Sequence, residues 1–582
     1  YMSDHLSLLK KELINLVNEL LKDKIISDSF NINALSIDYQ STSRKGDVST
    51  NLLIILNKKK LDTNIDLQSL VIKKLNNIKY ISDIEIAKVG FINIFFDKLF
   101  LIENLNEVLV QKNSYGIKKS KKNNNINIEF VSANPTGPVH IGHLRGAVLG
   151  DVLASVLTCS GYNVTREYYV NDAGSQIKNL GKSLYKRYLE IFEKKIEISK
   201  NDYPGEYLIS IAKEIRKKDG DKWLDNKEKN LEEYFENYAI SEMINLIKND
   251  LKKINIKFDN FVYESDIVND KSIEKVFNVL TSKDLLYEGF LDKPKGEDSE
   301  DWKPRKQLLF RSTNFNDDSD RPFKKADGEW TYFANDAAYH YDKFSRKFDK
   351  LINIWGADHI GYISRMKSIV SVISNKKDFL DIKVCQIVRL IKNGNLLKMS
   401  KREGNFITIN EILKEVGTDA LRYFMISTKS ETTMDFDMNK VIEKNKDNPV
   451  FYCQYAYARA SSVLKKYNSF SEFDNVNIDF KKIDMSLISK TEWQIILKIL
   501  SWPYLINQVS ENKEPHRITN YLEDLCSDFH SFWNKGKDDQ SLRMIDVENI
   551  DQTISKIFWI QSFRVVLKNA FTIIGIDAPE SM

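Results

Sequence analysis

Residues 126–159 constrain the fold of this chain more than any other stretch. INIEFVSA is an apolar-rich run of strand length that ends in Asn134-Pro135-Thr136-Gly137-Pro138, a dense turn signal. HIGHLRGAVLGDVLASVL follows, with apolar residues recurring at helical spacing, and NVTREYYV (163–170) reads as a second strand. Strand, tight loop, helix and strand make the opening unit of a doubly wound parallel sheet. The strand-like runs WTYFAND (330–336), LINIWGAD (351–358) and VCQIVRLI (384–391) resume that α/β pattern up to about residue 427.

The flanks have a different character. The first 97 residues mix a helix, SLLKKELINLVNELL, with strand-like NLLIIL (51–56) and GFINIFF (90–96), which fits a small α+β domain. A basic stretch at 118–122 reads as a linker. A charged span from Lys178 to Arg321 reads as an insertion that splits the sheet domain, and from Asn448 the pattern is mostly helical. With 582 residues, 42% hydrophobic and 29% charged, the composition excludes a disordered or fibrous chain and suggests several domains. A net charge of +4 excludes a molecule that is basic throughout, so any contact with nucleic acid must come from local patches. Cys159, Cys385, Cys453 and Cys526 lack CxxC spacing; neither a structural metal site nor a disulfide framework is expected, which fits a reducing cytoplasm. Neither a signal peptide nor a membrane-spanning stretch is expected.

Two elements carry the chemistry. His140-Ile141-Gly142-His143 stands where the loop becomes a helix, and a helix start is an anion site. Imidazoles there can donate to phosphate oxygens and stabilise charge that builds at phosphorus, while Gly142 leaves room for a flat base. Lys398-Met399-Ser400-Lys401-Arg402-Glu403-Gly404 follows a strand-like run and an Asn393-Gly394-Asn395 turn, and its lysines can stabilise a departing pyrophosphate without proton transfer.

Together these elements resemble the HIGH and KMSKS motifs of class I aminoacyl-tRNA synthetases, with Arg402 in place of the final Ser. The segments 129–151, YYVNDAGSQ (168–176), TYFANDAAYH (331–340), WGADHIGY (355–362) and NPVFYCQYAYAR (448–459) narrow the resemblance to arginyl-tRNA synthetases of bacterial type. GDVSTN (46–51) and GFINI (90–94) resemble that family's N-terminal module. The resemblance spans nearly the whole chain, and is weakest in the insertion and the last hundred residues.

The resemblance implies a multidomain α/β protein. An N-terminal α+β domain (about 1–112) would touch the outer corner of the tRNA. A split Rossmann-type catalytic domain (about 113–440) would carry an insertion at about 178–325, and an all-α anticodon-binding bundle would occupy about 441–582. It implies a monomer that takes arginine, ATP with Mg²⁺ and tRNA(Arg). His140, His143, Lys398 and Lys401 would be catalytic. Pro135, Gly137, His140, Gly142, His143, His359, Met399 and Ser400 would bind ATP. Glu129, Ser132, Asn134, Tyr332, Asp336 and Asp358 would bind arginine, whose planar, permanently charged guanidinium needs fixed carboxylates. Tyr455, Tyr457 and Arg459 would meet unstacked anticodon bases. Ile360 stands where the bacterial pattern often has a second His. The alternatives are another class I synthetase or a synthetase-like RNA-binding protein without catalysis.

Overall fold

The structure is a computed structural model that describes residues 4–27, 30–39, 45–61, 65–120, 124–197, 199, 201–225, 230–290, 305–397, 407–473 and 478–582. The chain forms two compact units: residues 119–443 with 513–516, and residues 1–118 with 444–512 and 517–582.

The unit built on 119–443 is organised by a five-stranded, wholly parallel sheet. Its strands lie in the order Leu380–Cys385, Lys350–Gly356, Asn125–Glu129, Asn163–Val170, Asn260–Tyr263. Counted along the chain this is 3-2-1-4-5 read from the opposite edge, the doubly wound order, with the first strand central. Ile126, Ile128 and Phe130 are fully or almost fully buried, as a strand covered on both faces requires. The Ile141–Cys159 helix returns from the central strand, and Gly150 lets it lie close: a Cβ there would stand 2.3 Å from the Phe130 ring.

The span expected as one insertion contains the sheet's edge strand, Asn260–Tyr263, so there are two excursions rather than one. The first is a helical cluster, Ser175–Ile191, Tyr207–Asp219 and Leu231–Lys253, packed around Tyr188, Trp223 and Phe235. The second is an antiparallel sheet of Leu286–Phe290, Lys306–Phe310 and Arg321–Lys324. WTYFAND is not a strand: Thr331 accepts a hydrogen bond from the Ala334 N–H and starts the Tyr332–Ser345 helix. VCQIVRLI divides between two sheets. Val388–Lys392 leaves the main one to pair with Asn395–Leu396 and Met434–Asp437.

In the other unit a four-stranded antiparallel sheet, ordered Ile37–Tyr39, Val48–Thr50, Ile92–Phe96, Ile81–Ile86, packs with helices that include His5–Lys22 and Lys98–Gln111. NLLIIL, read as a strand, forms most of the Leu52–Lys59 helix, with Leu52, Leu53 and Leu56 buried on one face. Helices Pro449–Tyr467, Lys490–Leu500, Trp502–Asn512 and Ile550–Ile574 complete the unit, joined by most of His516–Asp538. Asn448 caps the first of them through the N–H groups of Val450 and Phe451, worth about 1 kcal/mol. Ile141–Cys159 and Ile550–Ile574 are long and apolar enough to cross a membrane, but 72% of each apolar window is buried inside the protein. Their apolar surface is satisfied by the core.

Candidate active site

A cleft of about 600 Å³ opens at the carboxyl ends of the central strands, the usual ligand position in an open parallel sheet. Glu129, Ser132, Asn134, His140, Gly142, His143, Asp336, Asp358 and His359 line it, so more than half of the residues expected to bind arginine or ATP or to be catalytic converge there.

The loop that leaves the central strand is held in an uncommon backbone conformation. Val131 (φ 67°) and Ser132 (φ 39°) both lie in the left-handed region, a costly state for a β-branched residue. Cross-links hold it. Ser132 Oγ donates to Glu129 Oε1 at 3.0 Å and accepts from the Tyr169 N–H at 3.1 Å, while Tyr168 Oη donates to the Ala133 carbonyl at 2.8 Å.

At the helix start the two imidazoles cap the backbone and each other's turn. The Gly142 N–H donates to His140 Nδ1 at 3.2 Å, and the His140 N–H donates to His143 Nδ1 at 3.3 Å. The rings stack with centroids 3.9 Å apart. With both Nδ1 atoms accepting, each neutral ring carries its proton on Nε2, a donor suited to a phosphate oxygen. The helix cap thus favours this tautomer in both rings. A Cβ at Gly142 would meet His140 Cε1 at 3.0 Å and push the capping ring away.

Glu129 is 7% exposed, and its Oε2 accepts from Lys343 Nζ at 2.6 Å. Lys343, fully buried, also donates to Asn353 Oδ1 at 3.2 Å. Asn353 Nδ2 donates in turn to His340 Nε2 at 2.9 Å, and His340 Nδ1 donates to the Asp336 carbonyl at 2.7 Å. Burial keeps His340 neutral by lowering its pKa to about 3. Asp336 accepts from Tyr362 Oη at 2.7 Å. Burial, with Glu129 and Glu264 nearby, pushes its carboxyl up to about 7 against the pull of Tyr362 and Lys343. Beside them Glu167 is buried, which raises its pKa, but the Arg346 fork at 2.5 and 2.9 Å and the Lys343 charge bring it down to about 2.

Lys343, Asn353, His340, Tyr362 and Glu167 were not singled out from the sequence. The available signal was Asp336, His340 and Lys343 at helical i, i+4, i+7 spacing, which reading the segment as a strand concealed.

Some expected residues stand elsewhere. Tyr332 is 77% exposed at the first position of its helix and does not line the cleft. Pro135 and Gly137 are buried in the loop behind it, where Tyr207 Oη donates to the Thr136 carbonyl at 2.7 Å. Asp358 and His359 are exposed at the rim and pair at 3.4 Å. Lys398, Met399, Ser400 and Lys401 lie outside the described residues. Thr408 forms a backbone bridge to His140.

In the helical bundle Tyr457 is 1% exposed and packs on Phe571. Its inward face rules out base stacking, a correction to the sequence reading. Tyr455 and Arg459 are half-buried. The Arg459 guanidinium lies 4.2 Å over the Tyr455 ring and donates to its hydroxyl at 3.0 Å and to His530 Nδ1 at 3.1 Å.

Residues 104–459 match the model of the catalytic domain of class I tRNA synthetases (R). Residues 8–96 match the arginyl tRNA synthetase N terminal domain, and 453–582 the DALR anticodon binding domain. An arginine–tRNA ligase of Pelagibacter ubique is 42% identical over 574 residues, 98% of either chain. The chain belongs to the arginyl-tRNA synthetases. Another arginine–tRNA ligase, from Orientia tsutsugamushi, is 44% identical over 92% of this chain and 91% of its own. Among solved structures, an arginyl-tRNA synthetase of Campylobacter jejuni is 33% identical over 84% of this chain and all of that one, with a TM-score of 0.71. That of Thermus thermophilus shares the fold at 16% identity, with a TM-score of 0.74 over 99% of this chain and all of its own. The cleft gathers both carboxylates and imidazoles, Glu129, Asp336 and Asp358 with His140, His143 and His359.

Proposed function

We propose that this arginyl-tRNA synthetase holds arginine between Glu129 and Asp336 and activates it on ATP bound at the His140–His143 helix start. The observation that carries this reading is the convergence of those four side chains on one cleft. The protein is an enzyme, an arginine–tRNA ligase that uses ATP. In the first step the arginine carboxylate oxygen attacks the α-phosphorus, the bond to the bridging oxygen breaks, and pyrophosphate leaves with the Mg²⁺ that ATP brought in. In the second step a ribose hydroxyl of the terminal tRNA adenosine attacks the arginyl carbonyl, and AMP departs. Neither step needs a protein nucleophile, because orientation and fixed charge supply the rate.

The proposed roles combine the cleft's lining residues with the family resemblance. Glu129, with Ser132 and Asn134, takes the substrate's ammonium and main-chain end; Asp336 takes the guanidinium, with Asp358 at the rim. His140 and His143 donate their Nε2–H groups to phosphate oxygens, and His359 and Gly142 border the nucleotide. Lys398 and Lys401 neutralise the leaving pyrophosphate. The N-terminal sheet and the helical bundle bind tRNA, with Tyr455 and Arg459 toward the anticodon. The reading includes a monomer that works in the cytoplasm.

His143→Ala is expected to lower arginine-dependent ATP–pyrophosphate exchange, with tRNA present, by about 100-fold while leaving the arginine KM nearly unchanged. Asp336→Ala should instead raise that KM by about 10- to 100-fold. Unchanged turnover in the first variant, or an unmoved KM in the second, overturns the assignment concerned.

A further inference from the structure

The two carboxylates proposed to hold the ends of arginine are not independent. Asp336, His340 and Lys343 lie on one face of the Tyr332–Ser345 helix, and the hydrogen bonds among them run in one determined direction. Lys343 Nζ donates both to Glu129 and to Asn353 Oδ1. The Asn353 amide donates to His340 Nε2, and His340 Nδ1 donates to the carbonyl of Asp336 itself. Each donor in this chain has an acceptor, and Lys343, Asn353 and His340 are all but fully buried. We propose that Lys343 is a positioning residue for arginine: through Glu129 on one side and the Asn353–His340 chain on the other, it holds the ammonium-binding and guanidinium-binding carboxylates in fixed register. The inference rests on the arginine site described above and assigns it a residue that does not itself touch the substrate.

Two physical arguments support the role. A carboxylate as buried as Glu129 keeps its geometry only if its oxygens are satisfied; Ser132 holds one and Lys343 the other, leaving further lone pairs for an incoming ammonium. The Lys343 charge also faces the second carboxylate. The groups around the Asp336 carboxyl are Tyr362, Glu129, Glu264 and Lys343, with Tyr169 close by and His340 on its backbone oxygen. The Lys343 charge lowers the pKa of Asp336, so removing it makes that carboxyl harder to ionise.

The test is ATP–pyrophosphate exchange by the full chain with tRNA present, with arginine varied between about pH 6 and pH 9. Asn353→Ala, which breaks the chain without leaving a buried charge unpaired, should raise the arginine KM about tenfold or more with kcat little changed. Lys343→Met should do the same and also move the midpoint of the KM–pH profile upward. Lys343→Arg should restore the midpoint. An unchanged KM in Asn353→Ala overturns the proposal, and it does so even if Lys343→Met does not fold. A Lys343→Met enzyme that loses kcat at constant KM, or keeps its midpoint, also overturns it. Asp336→Asn separates the two levels of the argument. If that variant leaves KM and its pH profile unchanged, the arginine site itself is misplaced. If it abolishes the profile while the Lys343 and Asn353 variants behave like the parent, only the positioning role fails.

Discussion

Asp336 binds a cation in this reading, yet the cleft around it favours the neutral acid. Its carboxyl titrates at about 7 because burial and two neighbouring carboxylates outweigh the Tyr362 hydrogen bond and Lys343. Below about pH 4 the folded and unfolded chains both bind this proton. As pH rises through 7 the unfolded chain releases it first, so the stability that this group contributes is lost over that window. A guanidinium reverses the balance by stabilising the ionised form. The arginine KM is therefore expected to rise as pH falls below 7, approaching tenfold per unit. The arginine-induced increase in Tm should be larger at about pH 8 than at about pH 6. Calorimetric scans at the two values check this, and equal shifts would remove Asp336 as the guanidinium partner. The histidines make a contrasting case: the backbone N–H groups of Gly142 and His140 donate to their Nδ1 atoms.

Among the elements, the Ile141–Cys159 helix does most to shape the site, because it both presents the histidines and closes on the sheet. Its approach depends on Gly150, where a methyl group would fall within 2.3 to 2.6 Å of the Phe130 side chain. Gly150→Ala is expected to destabilise the enzyme by about 1–3 kcal/mol through overpacking and to disturb the loop that follows Phe130. Denaturant unfolding measures the first effect, and a higher KM for ATP reports the second. Reading elements from local pattern worked for this helix and for Asn163–Val170. It failed for the Tyr332–Ser345 helix because Tyr, Phe and Trp near Thr331 favour strands locally. The Thr331 cap and the burial of Phe333, Ala334, Ala337 and Ala338 outweigh that preference.

At the scale of the molecule, the N-terminal module and the helical bundle share one compact unit although their family matches lie at opposite ends of the chain. Lys98–Gln111 packs on Ile550–Ile574, where Ser562 Oγ donates to the Leu105 carbonyl at 3.4 Å and Asn569 Nδ2 to the Lys112 carbonyl at 3.0 Å. Tyr39 Oη donates to the Leu497 carbonyl at 3.0 Å. A chain beginning after residue 118 would expose that apolar surface. It is expected to melt at a lower temperature or aggregate; an unchanged melting profile for the bundle would show that the contact contributes nothing to stability.

What the sequence determined by itself was the local chemistry: turn residues before a helix, imidazoles one turn apart, lysines in a basic loop, and the order of motifs that carries the family resemblance. These are near-neighbour relations, set by backbone geometry within a few residues. The tertiary structure alone decided which distant groups meet. Glu129 and Lys343 are neutralised as a pair only because a helix packs on the sheet between them. Tyr457 turns into the core while Tyr455, two residues earlier on the same helix, stays half-exposed. Burial and long-range pairing depend on where other elements pack, so the register of Glu129 and Asp336, the two carboxylates proposed to hold arginine, was not legible until the fold placed them in one cleft.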